Sequence, residues 1–328
     1  MRTHSLLTFV SRGIIAPQNR ESASAILPEG GRPEKSRPIG FPPRALLSVV
    51  FALVFAGVAQ AQPQRIVSTS PSITEVLFAL GLGPRVVGVS NYCEYPSSVL
   101  SLPKVGTFLH PDPELIARLQ PDLVIVHKLP NDLTNRLTAL RITFAEVDRG
   151  AIQDTYSEIL QIGKATATEP QAQDLVNRLK TRMSQIHREA QGRLHPSVVM
   201  VIGRTPGALS NLVVVGRDSF LDELVETAGG KNLMSAESNS AYPRVSLETL
   251  LRLNPDVIID MGDMGTSSEE RQKKVEANQA LWREAPYLRA VQKGQVYCIS
   301  STAFVVPGPR AIEAAAELFA LLQGHKPQ

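Results

Sequence analysis

The sequence predicts an α/β protein of two three-layer αβα lobes, each with a mainly parallel sheet, joined by one long backbone helix. Three observations carry this. Short continuous apolar runs alternate with helical patterns, the order of a parallel sheet covered by helices. A strand-free amphipathic stretch divides the chain near its middle. A helix-turn-strand unit occurs twice, once on each side of that stretch.

Taken in order, Arg65-Ile66-Val67-Ser68 reads as a short strand. Ser72-Ile73-Thr74-Glu75 has the form of a capping box: a hydroxyl accepts from the first helical turn while a carboxylate reaches back. The helix it opens runs through Val76, Leu77 and Leu80 and stops at Gly81. Val86–Val89 is the next strand, and Leu123–Val126 has the unbroken apolarity of a strand buried on both faces. Between about Ile152 and Arg193, Leu175, Leu179, Met183 and Ile186 recur at helical spacing behind Pro170, the pattern of a long connecting helix. The strand pattern restarts at Val198–Ile202. A capped helix follows from Ser219 to near Gly229, then strands at Val257–Ile259 and Val296–Ile299, and a last helix after Pro309. This order gives a leader over residues 1–61, an N-terminal lobe over 62–150, a linking helical region over 151–195 and a C-terminal lobe over 196–328.

The repeat is the most informative feature. The stretch from Glu114 to Ile125 matches that from Glu248 to Ile259, with six of twelve positions identical, including Arg118 and Arg252, Pro121 and Pro255, and Asp122 and Asp256. Two lobes of one build leave a cleft between them, the usual place for a ligand.

Composition bounds the function. Hydrophobic residues make up 43% and charged residues 20%, with a net charge of +3. The basic surplus gathers in the leader, and the body has no dense Lys/Arg run, which argues against nucleic-acid binding. Arg44, the apolar run Ala45–Val58 and the Ala59-Gln60-Ala61 exit read as a secretory signal peptide cleaved after Ala61. The run falls short of the ~20 residues of a spanning helix, and the predicted location is the periplasm. Residues 1–40, rich in Pro, Gly, Arg and Ser, are expected to be disordered. Two cysteines, Cys93 and Cys298, exclude a cysteine scaffold and leave two readings, an unpaired couple or one long-range disulfide. The six histidines are scattered, and no metal site is expected. No nucleophile elbow, zinc-protease, Walker or dinucleotide motif is present, and Gly81-Leu82-Gly83 ends a helix instead of opening one. The protein is not expected to be an enzyme, a periplasmic enzyme being the weaker alternative.

From Arg65 onward the chain resembles the helical-backbone class of ABC-importer binding proteins, which take cobalamin, ferric siderophores and haem, and is most similar to the cobalamin-binding type. The resemblance rests on Arg65–Ser68 with Pro71–Glu75, Val87-Gly88-Val89-Ser90-Asn91-Tyr92-Cys93-Glu94-Tyr95-Pro96, Lys104-Val105-Gly106, the two repeats and Pro307-Gly308-Pro309-Arg310. It implies a monomeric, rather rigid two-lobe binder without a cofactor, which delivers a metal chelate to a permease in the inner membrane. It also implies that Glu114 and Glu248 dock on that permease. Tyr92, Phe108, Tyr242 and Phe304 fall in loops after strand ends, where cobalamin binders pack aromatics against the macrocycle. A siderophore, often anionic, would instead call on cations: Arg204, Arg244 and Arg310 are in reach, with Arg204 the ligand contact and Arg310 structural. Haem would want an axial tyrosine such as Tyr92 or Tyr242. Cobalamin is the expected ligand, with a ferric siderophore or haem as the alternative.

Overall fold

The structure, a computed structural model, describes residues 62–130, 132–262 and 268–324. The predicted leader and its cleavage point lie outside the described residues. The N-terminal half contains β1 (Ile66–Ser68), α1 (Pro71–Ala79), β2 (Val86–Val89), α2 (Pro113–Arg118), β3 (Leu123–His127), α3 (Leu133–Ala139) and β4 (Phe144–Val147). Its sheet has the order β2-β1-β3-β4, and every pairing is parallel. Then come α4 (Ile152–Ala165) and α5 (Glu169–Gln191). The C-terminal half contains β5 (Ser197–Gly203), β6 (Leu212–Val214), α6 (Phe220–Thr227), β7 (Lys231–Asn232), α7 (Met234–Glu237), β8 (Arg244–Val245) and α8 (Leu247–Leu253). It continues with β9 (Val257–Asp260), α9 (Ser268–Trp282), α10 (Arg289–Gln292), β10 (Val296–Cys298) and α11 (Ala311–Leu322).

The duplication in sequence is a duplication in topology. β7, β9 and β10 pair in parallel around β5 in the order β7-β5-β9-β10, which repeats β2-β1-β3-β4. The C-terminal sheet adds an antiparallel ribbon, β6 and β8, on the β5 side. The Pro-Asp pair of each repeat has a structural task. Asp122 accepts from the backbone N–H of Gln64 and Arg65 at 2.7 and 2.9 Å, and Asp256 accepts from the Ser197 N–H at 3.2 Å and its hydroxyl at 2.6 Å. Each carboxylate thus ties the start of the neighbouring parallel strand. The residue before each proline, Gln120 or Asn254, turns the chain with φ of 48° or 45°. A proline disfavours the helical region for the residue before it, so the helix ends there.

The cores show the layers. One apolar cluster, containing Val67, Ile116, Val124 and Leu137, lies on one face of the N-terminal sheet. A second, with Val199, Val201, Ile258 and Trp282, lies on one face of the C-terminal sheet. The largest runs from Ile66 and Ile73 through Ile159, Leu175 and Ile186 to Met200, Leu224 and Leu318. It passes through the helices between the lobes, so both halves share one core.

That middle region departs from the expected single helix. It folds as two helices, and α5 alone is the long one, at 23 residues. The break falls at Thr166-Ala167-Thr168. Thr166 turns its hydroxyl back to the Ile162 carbonyl at 2.7 Å, and Ala167 takes a φ of 52°. Gly163 lets the two helices approach, since a Cβ there would stand 2.4 Å from that of Ala172. β4 was not expected either: it is short, and Glu146 interrupts its apolar pattern.

Candidate functional site

A cavity of about 400 Å³ opens between the N-terminus of α1 and the segment that precedes α11. Its floor begins where β1 ends. Ser70, not Ser72, caps α1, accepting from the Ile73 N–H at 3.3 Å. The expected capping box is therefore absent, because its two members serve elsewhere. Ser72 donates to Glu158 of α4 at 2.9 Å, and Glu75 crosses to the other lobe.

His127, the last residue of β3, organises the floor. Its Nδ1 lies 3.2 Å from the Asp148 carbonyl, an acceptor only, so Nδ1 carries the proton. Nε2 then accepts, and the Ser70 and Ser72 hydroxyls lie 2.9 and 3.1 Å from it. Burial pushes the imidazole down to about 4 and the Glu158 carboxyl up to about 8. At neutral pH this cluster is uncharged. His127 and Glu158 stand 3.7 Å apart as neutral neighbours and do not form an ion pair.

The walls are aromatic and cationic. Phe108 meets His127 edge-on, with ring centroids 5.5 Å apart, and the Arg149 guanidinium lies 4.9 Å from the Phe108 centroid. From the opposite lobe, Arg310 reaches Glu75 through Nε at 3.0 Å and Nη2 at 2.5 Å, and donates to the Thr302 hydroxyl at 3.2 Å. The Tyr95 ring covers this guanidinium at 4.3 Å. Burial pulls the Glu75 carboxyl upward, and the two-point contact with the Arg310 guanidinium opposes that shift. It is a buried strut between the lobes at the edge of the cavity.

Of the residues chosen from sequence, Tyr92 and Phe108 line this cavity, Tyr92 being 63% exposed. Phe304 does not. It is 1% exposed in the shared core, and its neighbours Val305 and Val306 face the cavity instead. Tyr242 is half-exposed and outside the lining; burial raises its phenol, with Ser219 and the Arg149 charge opposing. Arg204 is a correction: its side chain is fully buried, held by Asp260 at 3.2 Å and by Asn278, and is committed inside the C-terminal lobe. Of the two readings left open for the cysteines, the structure has the unpaired one. Cys93 and Cys298 are free thiols in different core clusters, Cys93 lying 3.2 Å from the Thr74 hydroxyl. Arg310 is structural, as expected. Glu114 and Glu248 stand exposed in the first turns of α2 and α8, and Glu114 bonds Arg136 at 2.6 Å.

The cavity also uses residues that sequence reasoning passed over: His127, Arg149, Tyr95 and, beneath it, Glu158. Two signals were available. His127 ends an apolar run at the carboxyl end of a central strand, the ligand edge of such sheets. Arg149 follows a strand that was not recognised.

A sequence profile of the periplasmic binding protein family matches residues 66–303. The chain belongs to this family. Among its relatives is an uncharacterized ABC transporter substrate-binding lipoprotein, YvrC, of Bacillus subtilis. It is 31% identical over 265 residues, 78% of this chain and 79% of that one. The vitamin B12-binding protein of Salmonella choleraesuis is 30% identical over 203 residues, 61% of this chain and 73% of that one. Two solved structures share the fold. The haem-binding protein RhuT of Roseiflexus sp. RS-1 has a TM-score of 0.69 at 22% identity, over 80% of this chain and 98% of that one. The vitamin B12-binding protein BtuF of Vibrio cholerae has a TM-score of 0.65 at 24% identity, over 80% and 97%. This periplasmic binding protein is thus the substrate-binding component of an ABC importer, periplasmic or membrane-associated, with a small-molecule ligand and a permease partner. No helix among the described residues is long and apolar enough to cross a membrane.

Proposed function

We propose that the protein captures a metal chelate, a corrinoid such as cobalamin, in the cleft and delivers it from the periplasm to its permease. The observation that carries this reading is the cavity between the lobes, lined by Tyr92, Tyr95, Phe108, Val305 and Val306 over an uncharged floor. Flat rings give large apolar contact at little cost in side-chain entropy. At about 400 Å³ the cavity is at the small end for ligand sites, so a large macrocycle would be held by one part and leave the rest in the open cleft. The B12-binding names among the relatives support the choice. Haem is the second reading, favoured by the exposed Tyr92 phenol at the cavity wall, an oxygen donor suited to ferric iron. Calorimetric titration of the mature chain with cyanocobalamin, haemin and ferric siderophores tests the proposal. Saturable binding of cyanocobalamin supports it; binding of none of these chelates overturns it.

Delivery is assigned to Glu114 and Glu248. They occupy matching positions of the two repeats, both exposed, so they present two carboxylates at equivalent points of the two lobes. Glu114 would exchange its exposed partner Arg136 for a permease cation, a small loss for a surface pair. Glu114→Lys with Glu248→Lys is expected to abolish uptake while leaving ligand affinity unchanged. Uptake that survives the double reversal removes docking from these residues. Secretion with cleavage after Ala61 completes the reading, and a different N-terminus on the exported chain would correct it.

A further inference from the structure

We propose that the Ser72 hydroxyl oxygen is an acceptor subsite for a neutral N–H group of the bound chelate, of the kind a peripheral carboxamide carries. The inference rests on the proposed chelate reading and narrows it to a class of substituent. It follows from the hydrogens available on the cavity floor, where Ser70, Ser72 and His127 all line the cavity. The imidazole carries its hydrogen on Nδ1, and the Asp148 carbonyl takes it at 3.2 Å. Nε2 then offers a single lone pair in the ring plane. Ser70 is the nearer hydroxyl at 2.9 Å and donates there. Ser72 gives its only hydrogen to Glu158, 2.9 Å away and closer than Nε2 at 3.1 Å.

The imidazole and hydroxyl hydrogens of the floor are thus committed inside the chain, while an acceptor is left over. Ser70 Oγ receives the Ile73 N–H at 3.3 Å. Ser72 Oγ is also 3.2 Å from the Ser70 hydroxyl, but that hydrogen goes to Nε2. Among the described residues no donor then serves the Ser72 oxygen, which is buried apart from its cavity side. A buried acceptor without a donor carries a desolvation cost, and a ligand N–H placed over it removes that cost. The surroundings select the donor. The floor beneath, with a neutral imidazole and a protonated Glu158, has no charge to hold a cation. A carboxylate has no hydrogen to give and would face the Ser72 lone pairs. A primary carboxamide is neutral and carries two N–H donors, so it fits. This separates two of the chelates, since a corrin ring bears carboxamides at its edge where haem bears carboxylates.

The test compares two corrinoids by equilibrium dialysis, with haemin as a third compound. Dicyanocobinamide keeps the carboxamides; dicyanocobyrinic acid heptamethyl ester keeps the carbonyls but has no N–H. Ser72→Ala removes the acceptor. It should weaken dicyanocobinamide about fivefold, the size of one neutral hydrogen bond, and change the ester less than about twofold. Ser72→Cys fills the same space and keeps a hydrogen for Glu158, but sulfur is a weak acceptor. It should show the same selective loss, and it serves as the probe if Ser72→Ala does not fold. Ser72→Thr keeps the hydroxyl and should bind both corrinoids within about twofold of the parent. No loss for dicyanocobinamide in Ser72→Ala or Ser72→Cys overturns the subsite. Equal losses for the two corrinoids also overturn it, because the hydroxyl would then be donating to a carbonyl. A parent protein that binds haemin and neither corrinoid overturns the subsite while leaving chelate capture standing. A parent that binds none of the three compounds overturns capture and subsite together.

Discussion

The two lobes share a topology but end their central strands differently. In the N-terminal lobe the carboxyl ends of β1 and β3 carry Ser70, Ser72 and His127, a neutral cluster that lines the cavity. In the C-terminal lobe the ends of β5 and β9 carry Arg204 and Asp260, a charged cluster sealed from solvent. There Asp260 accepts from Arg204 at 3.2 Å, the Trp282 indole at 2.7 Å and the Gly262 N–H at 2.6 Å. The same fold position is thus the floor of an open cavity in one copy and a closed structural knot in the other. Duplication fixes where polar groups can gather; whether they face a ligand depends on what packs above them. Over the C-terminal cluster that is α9, through Asn278 and Trp282.

The largest expected effect lies in the sealed cluster. Asp260→Ala leaves the Arg204 guanidinium buried without its counter-charge, which costs about 3–5 kcal/mol of stability. Affinity for the chelate should not change at temperatures where the variant stays folded, since neither residue lines the cavity. Denaturant unfolding and calorimetric titration of one preparation measure both. A variant with parental stability but lost binding would mean that this cluster also faces the ligand, and the contrast between the lobes would collapse.

The contrast also explains what could be read from the sequence. Strands β1, β2, β3, β5, β9 and β10, the repeat and the positions of Glu114 and Glu248 were legible, because each depends on local periodicity or on identity between copies; the shorter β4, β6, β7 and β8 were not. Arg204 was misassigned for a physical reason: an arginine just after a strand looks the same whether or not an aspartate 56 residues later claims it. Phe304 failed likewise, since an aromatic in a loop can turn to the core or the cleft, and here its neighbours took the cleft. Ser72 and Glu75 satisfied a local rule, yet tertiary partners took both, Glu75 through a contact 235 residues away. The cavity floor was the least legible part, being assembled from α1, β3 and α4, and no short motif spans these elements.

A smaller effect tests the neutrality of the open cluster. Glu158 holds its proton up to about pH 8 in the folded chain, against an ordinary value of 4.5. Between those values the folded state binds the proton more tightly than the unfolded state, so its contribution to stability declines as pH rises. His127 works in the opposite direction. Depressed from 6.5 to about 4, it makes stability rise with pH over that lower range. The two trends offset below about 6.5, and above it only the Glu158 decline remains. Unfolding free energy should therefore fall by about 1–2 kcal/mol from pH 6.5 to 8, the slope never exceeding about 1.4 kcal/mol per pH unit. Glu158→Gln keeps a carbonyl to accept from Ser72 and removes the titration, so its curve over that window should be flatter by this amount. Parallel curves for the two proteins would mean that Glu158 is already ionised at neutral pH. The floor beneath the cleft would then carry a negative charge, and the contrast between a neutral cluster in one lobe and a charged one in the other would be lost.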